Sequence, residues 1–123
     1  MTRLIVGLVL GLLPWVVGAQ ELELRVNIDK TRFVWDAPIG GATSEFYRVS
    51  CGHSAGVHDV TSNDVQGAAN TQMPVSSVIT VPGNYFCVVR AGNSFGLSDK
   101  SNEVAFSAGY VPAVPLGFHL EAE

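Results

Sequence analysis

Residues 83–104 read GNYFCVVRAGNSFGLSDKSNEV. From Tyr85 to Ala91 the residues are mostly aromatic or β-branched, which favours a pleated, half-buried strand. Strand alternation puts Tyr85, Cys87, Val89 and Ala91 on one face. Gly92 and Gly96 bracket Asn93, Ser94 and Phe95, which marks a loop. SNEVAFS (residues 101–107) then resumes an extended pattern, so two strands joined by a loop are predicted here.

Upstream, ELELRVNI (21–28) alternates Leu22, Leu24, Val26 and Ile28 with polar residues, the period of a half-buried strand. TRFVWDAP (31–38) places Thr31, Phe33 and Trp35 on one face, and Pro38 stops the ladder. EFYRVSCG (45–52) turns Tyr47, Val49 and Cys51 one way and Phe46, Arg48 and Ser50 the other. Between His53 and Gln72 the chain is polar and only GVHDV (56–60) has strand character; PVSSVITV (74–81) offers one more strand. No segment sustains a helical period, so an all-β, antiparallel sandwich of about seven strands is predicted.

The chain has 123 residues, 47% of them hydrophobic, with 7 basic against 11 acidic residues and a formal charge of -4. That length fits one domain with its own core. An acidic balance without a Lys/Arg run argues against a nucleic-acid or anionic-membrane surface. Residues 1–19 have a signal-peptide pattern: Arg3, an apolar run from Leu4, and Val17-Gly18-Ala19 before the expected cleavage. The run is short for a membrane span, so no stable span is expected after cleavage, and a secreted or periplasmic location is expected. An oxidising compartment would let Cys51 and Cys87, the only cysteines, pair.

TRFVWDAP, YRVSCGHSAGVHDV and VPGNYFCVVRAGNSFGLSDKSNEV resemble, in order and spacing, the B strand, the C strand with its hairpin, and the E-to-G region of a fibronectin type III domain. The version resembled is common in bacterial and bacteriophage extracellular proteins. Residues 20–108 would form the domain and 109–123 a proline-containing tail. The resemblance implies seven antiparallel strands in an immunoglobulin-like sandwich, Trp35 on strand B and Tyr85 as a tyrosine corner. It also places Cys51 on strand C and Cys87 on the adjacent strand F, facing the same interior. A disulfide within one sheet is the implied outcome; two buried free thiols acting as apolar filler are the alternative.

Catalytic patterns are sparse. His53, His58 and Asp59 are the nearest approach to a metal cluster, but His-x4-His is not a recognised metal spacing and the two histidines read as surface residues; no Gly-x-Ser-x-Gly elbow is present. Neither an enzyme nor a metal or cofactor is expected. Binding on such a sandwich belongs to end loops, where Ile39 lies in one loop and Asn93, Ser94, Phe95 and Leu97 in another. Phe95 could equally fold over the core. In the tail, Leu116, Phe118 and Leu120 alternate behind Pro112 and Pro115, the pattern of a segment that adds to an open sheet edge. These features imply an exported binding or structural module in a cell-surface or virion assembly, with a protein or carbohydrate surface partner or with itself. The alternative is a secreted inhibitor or accessory subunit of an extracellular enzyme.

Overall fold

The computed structural model describes residues 22–123. The expected signal peptide, residues 1–19, lies outside them. The 11-residue strand Gly83–Asn93 organises the larger sheet. In chain order the strands are β1 (Arg25–Asn27), β2 (Arg32–Val34), β3 (Phe46–Gly52), β4 (Val60–Thr61), β5 (Val65–Gln66), β6 (Gln72–Pro74), β7 (Gly83–Asn93), β8 (Gly96–Leu97) and β9 (Val104–Gly109). The larger sheet runs β1-β9-β7-β3-β4, with β5 also on β3 and β8 folded back on β7; β2 and β6 form a second, two-stranded sheet.

The wholly antiparallel expectation is corrected at one edge, where β1 runs parallel to β9 with Arg25 opposite Ser107 and Asn27 opposite Gly109. Ser107 explains the docking. Its N–H donates to the Leu24 carbonyl at 2.8 Å, and its hydroxyl accepts from the Leu22 N–H at 2.7 Å. The predicted four-position alternation is thereby cut short: Ile28 is buried, while Leu24 remains 59% exposed. Asn27 then caps a 3-10 turn, Ile28–Lys30, by accepting from the Asp29 N–H, and the chain crosses to β2.

PVSSVITV is not a strand. Its first residue ends β6, and Val75–Ser77 form a 3-10 turn. The Val78 and Ile79 amides both donate to the Val75 carbonyl, so the apolar residues Val75, Val78 and Ile79 follow helical spacing, and Val75 and Ile79 are buried together. Of GVHDV only Val60 enters a strand. β4 and β5 both pair with β3, but their registers differ by one residue, the mark of a β-bulge around Ser62. Ser62 satisfies the ladder there: its hydroxyl accepts from the Val49 N–H and its own N–H donates to the Val49 carbonyl.

The core lies between the sheets. Val49, Cys51, Tyr85, Cys87, Phe106 and Ala108 come from the larger sheet, Met73 from the smaller, and Ile28, Val75 and Ile79 from the turns. Phe33 meets Phe106 with ring centroids 6.0 Å apart, and Trp35 meets Tyr47 at 5.3 Å, joining the layers. Gly52 is required sterically: a Cβ there would lie 1.8 Å from the Val57 carbonyl oxygen.

Candidate binding surface at the loop end

β3 and β7 pair over seven residues, with Cys51 directly opposite Cys87. The cysteines form a disulfide, Cα atoms 4.1 Å apart, and both are almost fully buried. The pair two residues away shows why they can approach. The amides of Val49 and Val89 donate outward, to the Ser62 and Ser101 hydroxyls, so this parity is the non-hydrogen-bonded, closely spaced one. The alternative of two free thiols is excluded. At the start of β7 the Tyr85 hydroxyl donates to the Val81 carbonyl at 2.5 Å, a corner contact four residues back. Burial, and secondarily Tyr110, push the Tyr85 phenol above its ordinary pKa.

At the far end of β7, Gly92 pairs with Leu97 and Asn93 with Gly96, leaving Ser94 and Phe95 as a two-residue turn. Asn93 builds that turn. Its Oδ1 accepts from the Phe95 N–H at 2.9 Å, and its Nδ2 donates to the Thr43 carbonyl at 3.3 Å, tying this hairpin to the loop that holds Ile39. Phe95 does not cover the core: it is 96% exposed, and Ile39 is fully exposed. An open groove of about 370 Å³ runs between the two loops, from Pro38 and Gly40–Ser44 to Asn93 and Phe95. Of the five loop residues singled out, Ile39, Ser94 and Phe95 face solvent at the tip. Leu97 also borders the outer face of the sheet, near Arg48 and Arg90.

That outer face holds a cluster which the reading of His58 as a surface residue missed. The His58 side chain is only 5% exposed. Its Nε2 lies 2.6 Å from Glu103 Oε2 and its Nδ1 3.1 Å from Lys100 Nζ. An ammonium can only donate, so Nδ1 accepts and the ring proton sits on Nε2, directed at Glu103. Glu103 also accepts from the Gly56 N–H; that bond first, then His58, holds its carboxyl below the ordinary range. The cluster ties the β3–β4 connection to the stretch before β9. His53 instead packs its ring at a tilt against Tyr85 and bonds the Asn84 carbonyl. Among the described residues no three His, Cys, Asp or Glu converge as metal ligands.

The tail forms no strand here. Leu116, Phe118 and Leu120 are each more than 90% exposed. Gly117 has φ +67, which interrupts the extended path. His119 bridges the Gly117 carbonyl, 2.6 Å from Nδ1, and Glu121, 2.8 Å from Nε2. The first contact, then the second, raises its pKa. Among the described residues no helix is long and apolar enough to cross a membrane. No family model, curated protein or solved structure matches the chain.

Proposed function

We propose that the chain is an exported, non-catalytic binding module of fibronectin type III topology, engaging a protein or carbohydrate surface through the end that carries Ile39 and Phe95. One observation carries the reading: two large apolar side chains, exposed on separate loops tied by Asn93 and Thr43, are spent on no core contact; Phe95 lines the groove between these loops, and Ile39 sits in sequence between two of its lining residues, Pro38 and Gly40. Folding gives no reason for either residue to be apolar, and exposed apolar groups gathered on adjacent loops mark interaction sites. The topology is supported by the Tyr85 corner, by Trp35 following β2, and by the β3-β7-β9 neighbour order. The buried disulfide accords with an oxidising, extracellular or periplasmic setting.

The test places a photo-crosslinking phenylalanine analogue at position 95 and exposes the exported protein to intact cells and their medium. A discrete adduct is expected, lost when Ile39→Ser is added, while the Ile39→Ser/Phe95→Ser protein keeps its stability within about 0.5 kcal/mol. The same analogue at Asp29, in the turn at the opposite end, is the control. Equal adducts from both positions would sink the reading.

A further inference from the structure

The fold leaves one flank open. β1 covers β9 only at Ser107–Gly109, so among the described residues the outer edge from Val104 to Phe106 has no strand beside it. Among the described residues β2 has a strand neighbour, β6, on one side only. The Val75 N–H donates to the Thr31 carbonyl and the Trp35 N–H to the Thr71 carbonyl, so odd-numbered residues bond toward β6. By alternation Arg32 and Val34 turn their backbone groups to the open side. Between β2 and the start of β9, over residues 87–89 of β7, runs a groove of about 400 Å³ lined by Phe33, Trp35, Val49, Cys87, Val89 and Val104, all of which except Val104 belong to the core or pack against it. Val34 is 68% exposed and Val104 41%, and the Trp35 indole N–H has no hydrogen-bond partner among the described residues.

We propose that Leu116–Leu120 of one copy adds as a strand in the groove between β2 and β9 of a second copy. Leu116, Phe118 and Leu120 then face Phe33, Trp35 and Val104. Gly117, His119 and Glu121 face out.

The geometry selects a second copy over the same chain. Tyr110 roots the tail by donating to the Thr80 carbonyl at 2.8 Å. Every residue from Val111 onward is exposed, so the tail does not lie on its own domain. Pro112 and Pro115 favour an extended path, which carries Leu116 about 19 Å beyond that root. Reaching its own groove would need a reversal within this stiff spacer. Gly117 supplies the one adjustment that strand addition demands, since glycine passes freely from φ +67 to extended values. Reciprocal exchange closes a dimer, and one-way insertion propagates a chain.

The experiment follows the mass of the exported chain by light scattering from low micromolar to near-millimolar concentration. A concentration-dependent rise is expected. Leu116→Ser/Phe118→Ser weakens association by at least about tenfold, as truncated central anchors do. Val34→Lys, a charge on the receiving edge, does the same. Gly117→Val, which excludes the kinked form and favours the strand, tightens it. A synthetic peptide of residues 112–123 binds the Leu116→Ser/Phe118→Ser chain and no longer binds once Val34→Lys is added. Ile39→Ser/Phe95→Ser leaves the mass unchanged, which separates this surface from the loop end. A single-chain mass at every concentration overturns the proposal, as does association that survives both the tail and the Val34 substitutions.

Discussion

Replacing Cys51 and Cys87 together by valine keeps an apolar cross-strand pair of similar size and removes only the covalent link. The bridge joins residues 36 apart in sequence. For a closed loop of that length, chain entropy gives about 4 kcal/mol of destabilisation on removal, acting through the unfolded state. The native state changes little, because β3 and β7 are already paired over seven residues, five before Cys51 and one after it. In a domain of this size each kcal/mol moves the melting temperature by roughly 4–8 °C, so a fall of roughly 15–30 °C is expected. Urea titration of the oxidised chain, the reduced chain and the valine variant measures it. The m-value should rise on reduction, since an uncrosslinked chain exposes more surface when it unfolds. A loss under about 1 kcal/mol with no change in m-value would refute the loop-entropy account.

Tyr85→Phe keeps the ring against His53 and Phe106 and removes the hydroxyl bond to Val81. A loss of about 1–2 kcal/mol is expected from urea unfolding, part of it from the Val81 carbonyl left without its partner. For Glu103 the sign follows from a depressed folded-state pKa. Its contribution is present above the ordinary value of 4.5 and is lost as pH falls through the lower folded value. Unfolding curves collected from pH 6 down to pH 3 should therefore show an acid-side loss that shrinks in Glu103→Gln; an identical pH slope in both proteins would refute the assignment.

The inner face of the larger sheet was readable because strand alternation is local. Tyr47, Val49 and Cys51, and Tyr85 and Cys87, are all buried as their spacing implied. PVSSVITV was misread because valine and isoleucine favour strands locally, while burial of Val75 with Ile79 across one turn overrode that preference. The loop residues Ile39 and Phe95 were legible as candidates, but whether Phe95 covered the core depended on the two-residue turn at Ser94-Phe95. The His58–Glu103 contact spans 45 residues and left no local signal. The open flank did leave one, in hindsight. Phe33, Val34 and Trp35 are apolar in succession, and only two of them can face one core.

By itself the sequence determined a β-rich chain, the inward face of its longest strands, the two cysteines as partners once their strands became neighbours, and an apolar, proline-spaced tail. These follow from alternation, turn chemistry and composition, which act over a few residues. Tertiary structure alone decided that β1 lies parallel on β9, that His58 is clamped between Lys100 and Glu103, and that a core-lined groove opens between β2 and β9. Each depends on which distant segments compete for one edge or one face, and that competition is settled by packing the whole chain.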